Sequence, residues 1–170
     1  MTAELPASLL TSELRARIAA EFPKYPEKRA VLLTALHFVQ GTYGWIPPEA
    51  IAPLAELLEI DAIDVQEVIS FYSMFHAEPV GAHHVQVCTN LPCCLGGARQ
   101  VVRKLEETLD IRSGETTPDG AFSIAEVECL GSCGTAPVVQ VNNEPYVESV
   151  KPEAIPELIA ALRARPVNDR

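Results

Sequence analysis

Two separated pairs of cysteines constrain this chain of 170 residues more than any other feature. Cys88 and Cys93 form the first pair and Cys129 and Cys133 the second, in the spacing C-x4-C-x35-C-x3-C. A fifth cysteine, Cys94, directly follows the first pair. Because the intervening segment is long enough for a helix and a strand, the two pairs belong to different loops. Only the fold can bring them together.

Composition limits which cysteine chemistry is open to the chain. Hydrophobic residues make up 48% of it, enough for a packed core, and a net charge of -10 without a dense Lys and Arg cluster opposes binding to nucleic acid. The opening MTAELPASLL has no basic region and no long apolar core, so we expect no secretory signal and a cytoplasmic protein. No apolar run reaches the roughly 20 residues of a membrane span, so we expect no direct membrane insertion. In a reducing cytosol, clustered cysteines indicate a metal site or redox catalysis before disulfides.

The spacing of apolar residues changes near Pro79 and predicts two domains. Before this point apolar residues recur every three or four positions, as in helices, whereas after Gly81 they mostly alternate, as in strands. We therefore predict an α+β protein. A small helical bundle over residues 1–80 precedes an α/β domain over residues 81–170.

Four short helices are predicted in the first domain. The first follows the possible caps Thr11 and Ser12, and the second spans KRAVLLTALHFVQ and ends at Gly41. The third follows the two prolines of GTYGWIPPEAI, and the fourth is capped by Asp61 or Asp64. Apolar stripes on these helices predict that they pack into a small bundle.

The predicted element order of the second domain is β-α-β-β-β-α. HHVQVCTN alternates like a strand, and GARQVVRKLEETLDI has the spacing of a helix. AFSIAEVECL is a second strand whose alternation slips at Ala125 and Glu126, which indicates a bulge. PVVQVNNEPYVESV is a predicted hairpin around Asn142 and Asn143. This order is that of a thioredoxin-like α/β domain.

Each cysteine pair lies at or just after the end of a predicted strand. If those two strands are neighbours in the sheet, the loops face one another and four thiolates surround one compact site. A 2Fe-2S cluster needs this arrangement, because each of its irons is completed by one pair of thiolates. We expect Gly96, Gly97, Gly131 and Gly134 to let the backbone approach closely and turn N–H groups toward sulfur.

Other uses of the same sulfur atoms stay open at this point. The main rival is a structural zinc site in a zinc-stabilised adaptor protein, although zinc sites of four cysteines usually pair them as C-x2-C. A redox dithiol is disfavoured because the chain has no C-x-x-C motif. A cysteine nucleophile needs a base, and although His83 and His84 are close in sequence, nothing else in the chain completes such a site. A Rieske centre needs histidine ligands, which the loops do not contain. We interpret His83 and His84 as surface residues where the strand begins, and Cys94 as a small apolar neighbour of the site.

These motifs resemble those of a known family. VCTNLPCCLGG and VECLGSCGTAPVVQVNNEPYVE, preceded by GWIPPEAI and SFYSMF, resemble the thioredoxin-like 2Fe-2S subunit (24 kDa type) of the NADH-dehydrogenase module of respiratory complex I. The resemblance extends over about residues 22 to 162. It implies that Cys88, Cys93, Cys129 and Cys133 bind one 2Fe-2S cluster.

The resemblance also implies partners and a role in electron transfer. It implies that the helical domain docks on a flavoprotein subunit that binds FMN and NADH, with other peripheral-arm subunits of complex I nearby. The chain is then a redox subunit of NADH:quinone oxidoreductase that is not catalytic alone, peripheral to the cytoplasmic face of the inner membrane. NAD-reducing hydrogenases and NAD-linked formate dehydrogenases are alternative hosts. Since the chain has neither a G-x-G-x-x-G nor a P-loop motif, NADH and flavin are expected on a partner.

Overall fold

The computed structural model of the chain describes residues 9–142 and 144–165. Contacts divide it between Pro79 and Val80 into two units, each with its own hydrophobic core. Asn143 of the predicted hairpin and most of the opening segment lie outside the described residues. Within the described ranges, no helix combines the length and apolar character needed to cross a bilayer.

The first unit is built from helices, as predicted. The Thr11 hydroxyl caps the first helix by accepting a hydrogen bond from the Leu14 N–H at 3.2 Å. Asp61, and not Asp64, occupies the N-cap position of the fourth helix, although its carboxylate makes no capping hydrogen bond. Buried aliphatic side chains from all four helices form one core. The helices are α1 (Ser12–Ala19), α2 (Leu32–Tyr43), α3 (Ile51–Leu58) and α4 (Ala62–Phe71).

Helix α2 ends later than predicted. Gly41 lies inside the helix, and Gly44, in the left-handed conformation with φ 80°, ends it by donating its N–H to the Gln40 carbonyl at 2.7 Å. The side chain of Gln40 is buried and bonds the Met74 carbonyl and the His76 N–H, both at 2.8 Å. These contacts stabilise helical backbone around residue 40, so the first available glycine does not stop the helix.

The second unit contains a three-stranded sheet flanked by helices. The central strand β1 pairs in parallel with β2 and antiparallel with β3. The mixed α+β class and the thioredoxin-like character are as predicted, but two elements differ: an extra short helix follows β1, and the second arm of the hairpin is reduced to one bridge between Val139 and Val147. The elements are β1 (His83–Cys88), α5 (Leu91–Leu95), α6 (Ala98–Leu109), β2 (Phe122–Val127), β3 (Val139–Val141) and α7 (Ile155–Ala164).

The predicted bulge in β2 is absent. The strand pairs with β1 in unbroken register from Phe122 opposite His83 to Val127 opposite Cys88. The alternation slips because β2 is an edge strand whose far end leaves the core: Ala125 is half-buried and Glu126 is exposed. The break in the alternation of apolar residues therefore reflects a change in burial along β2 and not an inserted residue.

The interpretation of His83 and His84 as surface residues was wrong. Both are buried, at 8% and 7% exposure, because β1 is the central strand and both of its faces are covered. The His84 Nδ1 lies 2.7 Å from the Ser123 Oγ, and the His83 ring packs 5.1 Å from that of Phe122. Both imidazoles are therefore part of the sheet packing.

Candidate metal centre

The parallel pairing of β1 and β2 brings the two cysteine pairs to one edge of the sheet. Cys88 is the last residue of β1 and lies opposite Val127, the last residue of β2. Cys129 follows two positions later. Because parallel strands end at the same edge, the loops that follow β1 and β2 are neighbours. Strands β1 and β2 are therefore neighbours, as a site of four thiolates requires.

The first pair is buried and held by a capped helix. Cys88 and Cys93 are 3% and 2% exposed. Cys93 lies in α5, whose N-cap residue Asn90 accepts a hydrogen bond from the Leu91 N–H at 2.7 Å. The Cys88 thiol donates to the Glu128 carbonyl at 3.0 Å, which connects the end of β1 directly to the loop after β2.

Backbone N–H groups favour a thiolate at Cys88. Burial opposes ionisation, yet the pKa of Cys88 is lowered because the N–H groups of Leu130 and Asn90 and the thiol of Cys93 donate to its sulfur. The pKa of Cys93 is raised, first by burial and then by its own donation to Cys88, against the opposing N–H of Val138. Cys88 is therefore the more readily ionised thiol of the first pair.

The second pair lies at the surface. Cys129 and Cys133 are exposed, and Gly131, in the left-handed region with φ 82°, turns the loop between them. Cys133 opens a short 3-10 turn that ends at Thr135. This loop is accessible to a partner, in contrast to the buried first pair.

The two pairs interact with each other. The pKa of Cys133 is raised, first by its hydrogen bond to Cys129, then by the charge on Cys129, and also by the charge on Cys88. The charge on Cys133 likewise contributes to the raised pKa of Cys93. The charges on Cys88 and Cys133 therefore act from one loop on a thiol of the other.

The donor set fits a binuclear cluster, in which each iron takes two thiolates from the protein. The sulfur atoms are arranged as two internally hydrogen-bonded pairs, Cys88 with Cys93 and Cys129 with Cys133. Among the described residues, no group of three or more His, Cys, Asp or Glu side chains is arranged to hold a metal ion, so the fit rests on the chemistry of the four thiols.

The loop glycines are not the residues that donate N–H groups to the first pair. The N–H groups that point at the sulfur atoms of Cys88 and Cys93 belong to Asn90, Leu130 and Val138. Gly96 instead permits close packing: an added Cβ would lie 3.3 Å from the Pro137 ring. Amide groups near sulfur were anticipated, but the residues that supply them were not.

The Cys94 thiol bonds a backbone carbonyl. This residue is half-buried, and its thiol donates to the Thr89 carbonyl at 3.0 Å. This contact agrees with its interpretation as a neighbour of the site and not a ligand.

A carboxylate outside both loops was missed from the sequence. Glu148 accepts hydrogen bonds from Ser132, which precedes Cys133, and from Thr135, two positions after it. No local motif announces this contact, since Glu148 is 16 positions from Ser132 along the chain. Helix α5 did have a signal, because Asn90 and Pro92 are a favourable N-cap and first-turn residue.

Known proteins resemble this chain in sequence. The model of the thioredoxin-like 2Fe-2S ferredoxin family matches residues 18–163. NADH-quinone oxidoreductase subunit 2 of Thermus thermophilus is 50% identical over 145 residues, covering 84% of this chain and 80% of the relative. An NADH-quinone oxidoreductase subunit of Aquifex aeolicus is 41% identical over 134 residues, covering 79% of this chain and 84% of the relative.

A solved structure shares the fold. An NAD+-reducing NiFe-hydrogenase in the H2-reduced state superposes with a TM-score of 0.68 at 21% identity, over 79% of this chain. The match covers 22% of the hydrogenase chain, so the present chain spans about a fifth of that protein. At this identity the likeness concerns the fold alone.

Proposed function

Since the chain belongs to the thioredoxin-like 2Fe-2S ferredoxin family, we propose that it is the electron-transfer subunit of an NADH:quinone oxidoreductase of the complex I type. Relatives that bear this enzyme's name align with most of the chain at 37% to 50% identity. The chain acts as a redox subunit and does not oxidise NADH by itself.

The observation that carries the proposal is the position of the two cysteine pairs, which lie at or just after the ends of two parallel, adjacent strands. In the proposed site Cys88 and Cys93 hold one iron, and Cys129 and Cys133 hold the other. When bound, a 2Fe-2S cluster supplies reversible one-electron chemistry, which amino-acid side chains do not provide. Zinc could bind four thiolates too, but it would only stabilise the fold.

The surroundings of the sulfur atoms suit an electron carrier. N–H groups of Asn90, Leu130 and Val138 donate to the first pair and stabilise negative charge there. Burial of Cys88 and Cys93 limits access of water, while exposure of Cys129 and Cys133 leaves one side open to a redox partner.

We place FMN and NADH on a partner flavoprotein that contacts the helical domain, residues 1–80, while residues 81–170 bind the cluster. Exposed apolar side chains on and after α4 support a docking role: Ile63 is 60% exposed, Phe71 80% and Met74 44%. The proposed location is the cytoplasmic side of the inner membrane, where the chain is held through other peripheral-arm subunits.

Purification of the native complex tests this function. A tag on this chain should isolate, under anaerobic and mild conditions, a complex with about one FMN per chain that reduces ferricyanide with NADH. The same preparation should give the signal of a reduced 2Fe-2S cluster in electron paramagnetic resonance after dithionite. Recovery of the chain with stoichiometric zinc and without flavin would contradict the proposal and favour the zinc-stabilised adaptor.

A further inference from the structure

Glu148 lies outside both cysteine loops but holds the second one in place. Its Oε1 accepts hydrogen bonds from the Ser132 Oγ at 2.5 Å and from the Thr135 Oγ1 at 2.7 Å. The two hydroxyl oxygens are themselves 2.8 Å apart. Ser132 precedes Cys133 directly and Thr135 follows it by two positions. A single carboxylate oxygen therefore ties together both sides of Cys133.

The segment that carries Glu148 is fixed by backbone hydrogen bonds. Val147 pairs with Val139 of β3 through two bonds of 2.8 and 3.0 Å, and the Ser149 N–H donates to the Thr135 carbonyl at 2.7 Å. Val150, on the other side, is buried in the core of the unit. The carboxylate is thus presented to the loop from an anchored segment, which is what positioning requires.

The carboxylate also brings charge to the exposed side of the site. Hydrogen bonds from Ser132 and Thr135 lower the pKa of Glu148, so it is ionised at neutral pH. Reduction of a cluster adds one negative charge to it. A nearby fixed anion makes that step less favourable, by an amount that solvent reduces here because Glu148 and Cys133 are both exposed.

We propose that Glu148 is a positioning residue for Cys133 and that its charge lowers the reduction potential of the 2Fe-2S cluster. The inference rests on the proposed function for its second part. Its first part, control of the loop, concerns only the described side chains and can be measured on the metal-free chain.

Two substitutions separate charge from positioning. Glu148→Gln keeps an oxygen acceptor and removes the charge, so the cluster should keep its iron and sulfide. At a fixed potential, its reduced-to-oxidised ratio should rise by roughly threefold to tenfold, a tenfold change being about 59 mV for one electron. Glu153→Gln, which removes the same charge from the exposed turn before α7, is the matched control and should leave the ratio within about twofold of the original.

Glu148→Ala removes the acceptor as well. In the metal-free chain, hydrogen exchange of the Thr135 and Ser149 amides should accelerate by about tenfold relative to the Glu153→Gln control. The reduction potentials of Glu148→Gln and Glu153→Gln are measured by electrochemical titration followed by electron paramagnetic resonance. The exchange rates of Glu148→Ala and Glu153→Gln are measured by mass spectrometry.

The outcomes decide the two parts independently. A Glu148→Gln potential equal to that of the control overturns the role in tuning, and unchanged exchange in Glu148→Ala overturns the role in positioning. If the unaltered chain assembles no cluster, the proposed function fails, while the exchange experiment still decides whether Glu148 orders the loop.

Discussion

Cys88 and Cys93 differ from Cys129 and Cys133 in burial and in hydrogen bonding, although all four are proposed as ligands. The first pair is enclosed and receives backbone N–H groups, and the second is exposed. Such an asymmetric environment favours one iron over the other as the site of the added electron, because amide dipoles and exposure to water tune each iron separately.

Substitution of each cysteine by serine tests the ligand set. Replacement at position 88, 93, 129 or 133 should shift the sulfur-to-iron absorption bands and lower the iron content by roughly half or more, because a thiolate ligand is lost. Cys94→Ser is the control and should preserve both spectrum and iron content, since its thiol bonds the Thr89 carbonyl. Loss of the cluster in Cys94→Ser, with one of the four others unaffected, would reassign the ligand.

Gln40 offers a test of the helical core at the scale of one side chain. Gln40→Leu removes two buried hydrogen bonds, to the Met74 carbonyl and the His76 N–H, and should lower the free energy of unfolding by about 2 kcal/mol. Gln66→Leu, at an exposed position of α4, is the control and should change it by less than about 0.5 kcal/mol. Urea unfolding followed by circular dichroism measures both, and equal midpoints would contradict the assigned role of Gln40.

At the residue scale, the four candidate ligands could be predicted from the sequence, but the residues that form hydrogen bonds to their sulfur atoms and loops could not. Cysteine pairs are recognisable because each lies within one short loop. The carboxylate of Glu148 and the N–H groups of Leu130 and Val138 reach the site through tertiary structure, and no spacing rule connects them to the sulfur atoms they serve.

Individual elements give a pair of glycine predictions with opposite signs. Gly41 lies inside α2, and the position that a Cβ would occupy there is surrounded by open space, so Gly41→Ala should stabilise the chain by about 0.5 to 1 kcal/mol. At Gly81, just before β1, an added Cβ would lie 2.3 Å from the carbonyl carbon of Phe122 and 2.5 Å from the Ser123 nitrogen. Gly81→Ala should therefore cost about 2 kcal/mol or more, because the backbone of β2 must move.

Thermal and urea unfolding of the two glycine variants provide the measurement. An unchanged or higher stability of Gly81→Ala would show that β2 does not approach residue 81 as closely as described. A destabilised Gly41→Ala would contradict the placement of that residue within the helix.

The accuracy of the predicted elements depended on whether local signals or packing decided them. Strand β1 and helix α6 have strong local periodicity and were predicted. Helix α2 continues beyond Gly41, its predicted end, because the buried hydrogen bonds of the Gln40 side chain keep the backbone helical there. The reduced fourth strand and the absent bulge reflect where the edges of the sheet leave the core, which alternation alone does not report.

At the scale of the whole molecule, whether the two cysteine pairs share a site depends on whether their strands are neighbours, which the sequence does not reveal. The sequence predicted two strands, each followed by a cysteine pair, but strand adjacency depends on the path of the chain through α5 and α6. The parallel pairing of β1 and β2 supplies that adjacency and brings the two cysteine loops to the same edge of the sheet.

Assembly with a partner can be tested through the helical unit. Phe71→Ser exchanges an apolar ring that is 80% exposed, so stability and cluster content should change little. If this surface docks on the flavoprotein, the amount of FMN that co-purifies with the variant should fall by about tenfold or more, because exposed aromatic side chains dominate the binding energy of such contacts. Tyr25→Ser, which alters an aromatic residue 40% exposed on the same unit, is the control. Equal FMN retention in both variants would contradict docking through α4.

The measurement that tests the central claim most directly is the metal content of the chain purified without oxygen, combined with electron paramagnetic resonance after reduction by dithionite. We predict about two irons and two acid-labile sulfides per chain and a rhombic signal from a reduced 2Fe-2S cluster. Stoichiometric zinc without iron, even after iron-replete anaerobic expression, would contradict this prediction and leave the two cysteine pairs with a structural role alone.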